Sequence, residues 1–364
     1  MPFNQNQPYN DLPSLPPQGV DLETPAILKN LAKASRHLGE LNGLCATLPD
    51  PQLLIHTIVL QESKDSSAIE NIVTTQDELY KAALEEHTEN HSAKEVLSYR
   101  EALYTGLQKM KERKGLLLIN IMVEIVQTIK QNQAGIRNTP GTALKNAITG
   151  GVIYTPPCCE EVIRRKLAEL EQFINNPDVV SFDPLIKLAL IHYQFEAIHP
   201  FSDGNGRTGR IINVLYLVQQ GLLTQPVLFL SNYIVRHKTD YYQLLRGVTE
   251  RNNWQDWIMY LLTAISETAQ LTTAKIRSML ALKEEYEKLM KQVLGASFDY
   301  DLLQLMFTLP YLKIEVLEKK GMAHRQTASV WLKKLSDANI LKPEKIGRTT
   351  YFINHRLMNL LINA

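Results

Sequence analysis

The stretch IHPFSDGNGRTGR, residues 198–210, decides the fold of the region around it. Apolar residues recur at three- and four-residue spacing before it, over residues 184–198, and again after it, over residues 207–220. This spacing is typical of helices. A Gly-Asn-Gly run at residues 204–206 interrupts the pattern, and glycine is unfavourable inside a helix. The sequence therefore predicts two helices joined by a short loop, which ends where the second helix begins.

The predicted loop carries residue types that bind a polyphosphate. Gly204, Asn205 and Gly206 can present consecutive backbone N–H groups at the positive end of the second helix. Arg207 and Arg210 are three residues apart, so they share one face of the first helical turn. Cations are unfavourable at a helix N-terminus, and two of them there indicate that a multiply charged anion binds.

Two further side chains flank this predicted anion site. Asp203 lies directly before the glycine run and would suit a hard Mg²⁺ ion that bridges phosphate oxygens. His199, whose ordinary pKa is about 6.5, is the predicted proton acceptor. The alternative interpretation is a well-capped helix–loop–helix with surface charges, but the agreement of so many positions favours nucleotide chemistry.

The composition is that of an ordinary globular protein. The chain has 364 residues, of which 45% are hydrophobic, and 39 Lys and Arg residues balance 38 Asp and Glu residues to a net charge of +1. A net charge this small gives no global basic field, which excludes a chain built as a whole to coat nucleic acid. The length suggests two or three domains.

The cysteines and the apolar stretches bear on the compartment. Cys158 and Cys159 are adjacent and Cys45 is distant in sequence, so neither a disulfide framework nor a cysteine zinc site is predicted. Reduced thiols and an N-terminus without a signal-peptide pattern predict a cytoplasmic protein. No stretch offers the ~20 uninterrupted apolar residues of a membrane span, so no membrane partner is predicted.

The predicted fold class is mainly α-helical, with one small β-hairpin over residues 150–157 and a different C-terminal block. Residues 1–25 hold six of the 17 prolines and are expected to be extended or disordered. The predicted regions are an extended segment (1–25), an N-terminal helical region (26–112), a core (113–275), a helical linker (276–297) and a C-terminal domain (298–364).

The C-terminal block predicts a winged helix-turn-helix. Helices are expected at Asp301–Leu309, Lys313–Lys319 and Thr327–Ala338, followed by a strand, a turn at Lys345–Arg348 and a second strand at 349–353. Phosphate contacts could come from a modest set of basic residues: Arg325, Lys333, Lys334, Lys345 and Arg348. A DNA-binding regulator is therefore an alternative function, while protein docking or dimerisation through this block also stays open.

The motif at residues 199–210 resembles the Fic signature, HxFx(D/E)GNGRxxR, at every fixed position. Fic proteins are protein adenylyltransferases, which transfer AMP from ATP to a Tyr, Thr or Ser hydroxyl and release pyrophosphate. The resemblance implies that His199 is the base, that Phe201 anchors the loop and that Asp203 holds Mg²⁺. It also implies that a larger set of residues binds the nucleotide: Gly204, Asn205, Gly206, Arg207, Thr208, Gly209 and Arg210.

Gly206 separates two reactions within this resemblance. Phosphotransferases of the Doc type resemble the motif but place Lys at that position and transfer a phosphate. A glycine there implies nucleotidyl transfer. The same site can also run backwards in some Fic proteins and remove AMP, so a de-AMPylating hydrolase is a second alternative.

A second segment, SSAIEN at residues 66–71, resembles the Fic inhibitory signature (S/T)xxxE(G/N). The resemblance implies that Glu70 pairs with Arg210 and keeps the γ-phosphate of ATP from its productive place. Ser67 and Glu70 also have the spacing of a capping box, which starts many helices. Both roles can coexist.

Two other regions resemble substrate-binding parts of Fic proteins. Gly150–Pro157 resembles the flap, along which a target protein presents its hydroxyl, and a surface hairpin without function is the alternative. Asn232 and Tyr242 lie where the family places adenine contacts, with Tyr242 the preferred stacking residue, although tyrosines at helical spacing often belong to a core. Gly135–Arg137 resembles a structural GxxR stretch. Self-modification and a homodimer stay open.

Overall fold

A computed structural model of the chain describes residues 3–48, 51–84, 90–139, 141–145, 149–176, 182–346 and 349–362, with the backbone alone over 51–55. The helices are α1 (Pro25–Ala46), α2 (Pro51–Ile69), α3 (Gln76–Leu84), α4 (His91–Glu112), α5 (Ile119–Lys130), α6 (Glu160–Asn175), α7 (Pro184–Ile198), α8 (Asn205–Gln219), α9 (Ser231–Arg236), α10 (Lys238–Arg251), α11 (Trp254–Leu294), α12 (Tyr300–Thr308), α13 (Ile314–Lys319), α14 (Arg325–Asp337) and α15 (His355–Ile362). The strands are β1 (Leu144–Lys145), β2 (Val152–Tyr154), β3 (Tyr311–Leu312), β4 (Lys342–Ile346) and β5 (Thr349–Ile353). The mainly helical fold that the sequence predicts is confirmed.

The centre of the fold is the pair of helices α7 and α8. Nearly every residue of α7 is buried, because other helices cover it on all sides. It starts at Pro184, where the Asp183 carboxylate accepts a hydrogen bond from the Leu185 N–H at 2.8 Å. It ends at His199, which adopts the left-handed conformation with φ 48°. The central helix pair thus fixes the loop between its two members.

The other helices build a shell around this pair. The 41-residue helix α11 packs along α1 and also contacts α7 and α10. Helix α4 packs against α5, and both contact α8. Helix α2 packs against α4, α8 and α9, so its C-terminal end reaches the start of α8. This packing brings residues of α2 and α4 to a loop that is far from them in sequence.

The C-terminal region combines four helices with a three-stranded antiparallel sheet of order β3-β5-β4. Tyr311 of β3 and Lys342 of β4 both pair with Ile353 of β5. The three predicted helices agree with α12, α13 and α14 to within two residues. Strand β3 and helix α15 were not predicted, and Arg348 lies outside the described residues. The winged-helix assignment stays a prediction.

The N-terminal segment contains no helix before Pro25 in its described part, as the proline content predicts. It is ordered against the core through specific contacts. Gln194 donates a hydrogen bond to the Pro13 carbonyl at 2.9 Å, and Ser14 donates one to Glu169 at 2.6 Å. The segment therefore lies over α6 and α7. Within the described ranges, none of the helices combines the length and hydropathy that crossing a membrane requires.

Candidate active site

The loop between α7 and α8 is held in shape by its own residues. The Asn205 side chain accepts a hydrogen bond from the Phe201 N–H at 2.8 Å and donates one to the Phe201 carbonyl at 2.7 Å. Phe201 is buried and packs against Phe195 of α7. Gly204 has φ 85°, a conformation that glycine adopts without strain. These contacts fix His199 and the first turn of α8 in one rigid loop.

The first turn of α8 leaves backbone donors outside the helical ladder. The first α-helical bond runs from the Thr208 N–H to the Gly204 carbonyl at 2.9 Å. The N–H groups of Asn205, Gly206 and Arg207 precede that bond, so the helix offers them no carbonyl partner. Three donors at the positive end of a helix dipole form an anion-binding arrangement.

Arg210 projects from this turn and is bound by the C-terminal end of α2 and by the residue that follows it. Its Nε donates to the Ser66 hydroxyl at 2.8 Å, and its Nη2 donates to the Ser66 carbonyl and to Glu70 Oε1, each at 2.9 Å. Burial alone would lower the pKa of Arg210, but the charge of Glu70 raises it above the usual range. The guanidinium is therefore a permanent cation, and Glu70 is its carboxylate partner.

Glu70 also covers Gly206. A Cβ atom at position 206 would overlap Glu70 Oε1 and lie 3.0 Å from Arg210 Nη1. The carboxylate therefore stands directly over the backbone of the predicted phosphate cradle. An anion bound there would meet a negative charge at close range.

A second ion-pair network includes Arg207 of the same turn. Arg207 is buried, and its Nη1 donates to Glu95 Oε1 at 2.7 Å. The same oxygen accepts a bond from Lys130 Nζ at 3.2 Å, and Lys130 also contacts Asp203 Oδ2 at 2.6 Å. Sequence reasoning missed Glu95 and Lys130, since both lie far from the loop in sequence and carry no local signal.

The charges in this network lower the pKa values of both carboxyl groups. Burial alone would raise the pKa of Glu95, but the bond and charge of Arg207 and the charge of Lys130 bring it below the usual value. The pKa of Asp203 is lowered too, because Lys130 outweighs the effect of burial. Both carboxylates are ionised near neutral pH.

Asp203 fits a magnesium ion as a single ligand. Its side chain is 61% exposed, and its Oδ1 accepts the Gly204 N–H at 2.6 Å. Among the described residues there is no group of three His, Cys, Asp or Glu side chains that could hold a metal. Mg²⁺ is often bound by one or two carboxylates together with substrate phosphates and water, and one exposed carboxylate meets that requirement.

The imidazole of His199 is neutral near pH 7. Burial and the nearby Arg137 cation lower its pKa to about 4, although the charges of Glu70 and Asp203 act in the opposite direction. The residue is partly exposed, while its Nδ1 atom is buried. A neutral, partly accessible imidazole beside an anion-binding turn can accept a proton.

Arg137 connects this loop to the predicted flap. Its Nε donates to the His199 carbonyl at 2.7 Å, and its Nη2 donates to the Pro157 carbonyl. Tyr154 of β2 donates to the Ala197 carbonyl at 2.8 Å. The sequence assigns Arg137 a structural role, and these contacts are of that kind.

The predicted flap contains β2, which forms a short antiparallel pair with the preceding strand β1. Leu144 pairs with Tyr154, and Lys145 pairs with Val152. The tip, residues 146–148, lies outside the described part of the chain. The hairpin therefore begins earlier than the sequence predicts, because β1 precedes residues 150–157 and only β2 lies within them.

The predicted adenine contacts have different environments. Tyr242 is 48% exposed, and burial of its hydroxyl together with the charge of Glu70 raises its pKa to about 12. The neighbouring Tyr241 is buried and bonds to His192 Nε2 at 2.8 Å. Asn232 donates to Asp65 Oδ2 of α2 at 3.2 Å. Of these side chains, Tyr242 combines exposure with an electrostatic interaction with Glu70.

Two residues of the motif, Thr208 and Gly209, have no free space around them. Thr208 is fully buried, and a Cβ at Gly209 would lie 2.5 Å from Glu196 Oε1 and 3.1 Å from Phe195. The sequence assigns both to the nucleotide, but here Gly209 allows α7 and α8 to approach closely and Thr208 is buried. Burial raises the pKa of Glu196 to about 7.

Three regions of the chain match domains of known families. Residues 28–108 match the Fic/DOC family N-terminal domain, and residues 117–217 match the Fic/DOC family itself. Residues 282–357 match the C-terminal domain of SoFic-like protein adenylyltransferases. The motif loop lies inside the second match.

Similar curated proteins are protein adenylyltransferases. The chain is 32% identical over 114 residues to a probable protein adenylyltransferase from Aquifex aeolicus, which covers 31% of this chain and 32% of that protein. It is 34% identical over 65 residues to protein adenylyltransferase fic-1 from Caenorhabditis briggsae, covering 18% and 13%. The alignments thus span about a third or less of these relatives.

Solved structures with the same fold cover more of the chain. A Fic family protein from Desulfovibrio desulfuricans G20 superposes with a TM-score of 0.58 at 18% identity, covering 91% of this chain and 96% of that one. Fic-1 from C. elegans (aa 134–508) gives a TM-score of 0.53 at 20% identity, covering 70% and 75%. At this identity the similarity is one of fold.

Proposed function

Because the chain belongs to the Fic/DOC family, we propose that it is a protein adenylyltransferase that uses ATP and is inhibited by its own Glu70. The observation that carries the proposal is the motif loop, in which Asn205 binds both backbone groups of Phe201 and a neutral His199 precedes the open N–H groups of α8. This loop joins a proton acceptor to an anion site. The adenylyltransferases among the relatives support the same reaction class.

The proposed reaction is an in-line substitution at the α-phosphorus of ATP. The oxygen of a Tyr, Thr or Ser hydroxyl on the target forms a bond to the α-phosphorus, and the bond from that phosphorus to the bridging oxygen breaks. His199 takes the hydroxyl proton, and pyrophosphate leaves with the bridging oxygen. Positioning and charge stabilisation supply most of the catalysis in such reactions.

The other residues of the loop have distinct proposed roles. The backbone around Gly204, Asn205 and Gly206 binds the phosphates through the open N–H groups of residues 205–207, and Arg207 and Arg210 neutralise the charge that develops on pyrophosphate. Asp203 would hold Mg²⁺, which supplies further neutralisation of phosphate charge when bound. Lys130, which contacts Asp203 Oδ2 at 2.6 Å, would have to move aside for Mg²⁺ to bind there.

Autoinhibition follows from the contacts of Glu70. Its bond to Arg210 removes a cation that a γ-phosphate would need, and its position over Gly206 blocks the cradle. Binding of ATP in a productive pose therefore requires the carboxylate to move away. The resting enzyme is expected to transfer AMP slowly.

The target protein is expected to lie along the Gly150–Pro157 flap. Edge strands accept an added strand through backbone hydrogen bonds, which would hold a target hydroxyl near His199. Another copy of the chain could be the target, which makes self-modification and a homodimer part of the same proposal. Tyr242 is proposed to stack on adenine, which its exposed ring supports.

Removal of AMP is the alternative at the same site. Glu70 would then orient a water for attack at the phosphorus of a modified side chain. Release of AMP from a pre-modified target by the wild type, but not by Glu70→Gly, would identify this direction.

DNA binding is the alternative in the C-terminal region. Arg325, Lys333, Lys334 and Lys345 are all exposed, on or beside α14 and strand β4. Phosphate contacts from such residues would give a strongly salt-dependent affinity. A salt-dependent gel shift that persists in His199→Ala and disappears in Lys333→Ala/Lys334→Ala would support DNA binding.

The reaction type is tested with ATP labelled at either the α- or the γ-phosphate. The proposal predicts that the α-label becomes attached to protein, that the γ-label does not, and that His199→Ala abolishes the attachment. Attachment of the γ-label would indicate a phosphotransferase instead.

A further inference from the structure

Two adjacent thiols stand at the base of the flap. Cys158 and Cys159 follow β2 and precede α6, and their Sγ atoms are 3.4 Å apart. Cys159 is exposed and Cys158 is half-buried, whereas the third cysteine, Cys45, is buried. The pair therefore has direct contact between its sulfur atoms and access to solvent.

The backbone holds this pair in an unusual turn. Cys159 has φ 69°, in the left-handed region that residues with a side chain rarely adopt. Pro156 and Pro157 precede the pair, and proline fixes φ. A strained conformation persists where the surrounding contacts determine it, and such positions are frequent at functional sites. The turn keeps both thiols on the same side of the chain.

Asn10 of the N-terminal segment contacts Cys158 through both atoms of its amide. The Asn10 side chain accepts the Cys158 N–H at 2.9 Å, and its Nδ2 donates to Cys158 Sγ at 3.6 Å. Next to it, the Tyr9 N–H donates to the Thr155 carbonyl at 3.0 Å. The sulfur of Cys158 is thus one of the groups that hold the N-terminal segment against the flap.

We infer that Cys158 and Cys159 form a vicinal dithiol site that peroxides oxidise to an intramolecular disulfide, with loss of the Asn10 contact to sulfur. The thiolate of one cysteine attacks a peroxide oxygen, which forms a sulfenic acid and releases water after proton transfer. The second thiol attacks the sulfenic sulfur, so the S–S bond forms and a second water leaves. Two thiols and one H₂O₂ thereby give one disulfide and two waters.

Oxidation at this place can affect the flap. Closing the S–S bond draws the two sulfur atoms together and turns Cys158 Sγ away from Asn10 Nδ2. The preceding carbonyl, that of Pro157, accepts the Arg137 bond that also connects to His199. The dithiol therefore shares its turn with a contact to the catalytic loop.

Intact mass spectrometry of the full-length protein tests the site. We expect reduced wild type treated with a small excess of H₂O₂ to lose the mass of two hydrogen atoms. Cys45→Ala should behave in the same way, whereas Cys158→Ser and Cys159→Ser should not. Peptide mapping of the wild type should locate the bond between residues 158 and 159. A gain of oxygen mass without loss of two hydrogens, or a disulfide-linked dimer, would overturn the inference.

A second probe detects the reduced dithiol. Phenylarsine oxide binds two neighbouring thiols through its arsenic atom, so one equivalent should bind to the reduced wild type and to Cys45→Ala. Either single serine variant should lose this binding. Equal binding by Cys158→Ser would contradict a paired site. Neither readout depends on AMP transfer, so failure here leaves the proposed enzyme intact.

Hydrogen exchange measures the link to the N-terminal segment. Amides of residues 3–12 should exchange at least about fivefold faster after oxidation, the factor expected from loss of about one hydrogen bond. Asn10→Ala, which removes both amide contacts, should give at least this increase without oxidation. Unchanged exchange in oxidised wild type would show that the disulfide forms without releasing Asn10.

Discussion

Glu70, the residue directly after helix α2, places its Oε1 2.9 Å from Arg210 Nη2 of helix α8, although the two residues are 140 positions apart in sequence. Ser66, one turn earlier in α2, holds the same guanidinium through its hydroxyl and its carbonyl. The pair therefore joins the inhibitory segment to the nucleotide loop. Its strength decides how readily ATP can take the place of the carboxylate.

Replacement of this carboxylate should activate the enzyme. A charge-assisted hydrogen bond contributes roughly 1.5–3 kcal/mol, so Glu70→Gly should raise the rate of self-labelling from radioactive ATP by about tenfold or more. Glu70→Gln keeps the size of the side chain and loses its charge. Its rate of self-labelling should lie between those of wild type and Glu70→Gly. Glu284→Gln on the exposed surface of α11 serves as the control and should match the wild type. Equal rates for Glu70→Gly and wild type would contradict autoinhibition.

Acidification should lower the transfer rate only well below pH 6.5. Because burial and Arg137 disfavour the charged imidazole, the pKa of His199 is about 4, compared with about 6.5 for an ordinary histidine. His199 is thus a competent base well below pH 6.5. The transfer rate of Glu70→Gly, with ATP saturating, should be nearly the same at pH 7.5 and pH 5.5. A rate that halves near pH 6.5 would mean that the imidazole is freely solvated.

An alanine at position 206 should collide with the inhibitory carboxylate. Its Cβ would overlap Glu70 Oε1, so Gly206→Ala should lower the melting temperature of the wild type although alanine favours helices. In the Glu70→Gly variant, Gly206→Ala should lower the melting temperature only slightly. Gly39→Ala in α1, where a Cβ meets open space, is the matched control. An equal loss in both backgrounds would place Glu70 away from Gly206.

Much of this region follows from the sequence, since the motif loop is local. Residues 198–210 contain the helix end, the glycine run and the arginines, so their geometry is encoded in adjacent positions. Glu95 and Lys130 could not be found in this way. Their sequence environment is that of ordinary surface charges on amphipathic helices, and only the packing of α4 and α5 against α8 brings them to the loop.

The assignments of Thr208 and Gly209 show another limit of sequence analysis. The motif spacing groups them with the arginines, but the helical period of 3.6 residues turns Gly209 toward α7, and Thr208 is buried. The helices α7 and α8 around these residues were predictable from apolar periodicity. The elements β3 and α15 were not predictable in this way. Those elements are short, and β3 has only two residues, too few for a periodic pattern.

The buried Glu62 on α2 should make the folded protein less stable as the pH rises toward about 8. Burial raises its pKa to about 8, so between its ordinary value and pH 8 the folded protein binds more protons than the unfolded chain. Its contribution to stability therefore falls as pH rises through that window. Glu62→Gln cannot ionise, so its melting temperature relative to wild type should increase from pH 6 to pH 9. A constant difference in melting temperature between Glu62→Gln and wild type across that range would show that Glu62 ionises at its ordinary pKa.

The mass of the group that becomes attached to the protein tests the central claim most directly. Wild type, Glu70→Gly and Glu70→Gly/His199→Ala are incubated with ATP and Mg²⁺ and analysed intact by mass spectrometry. The account predicts a gain of one or more AMP moieties, largest in Glu70→Gly and lost when His199 is also replaced. An unchanged mass in Glu70→Gly, or an AMP gain that persists without the imidazole, would contradict it.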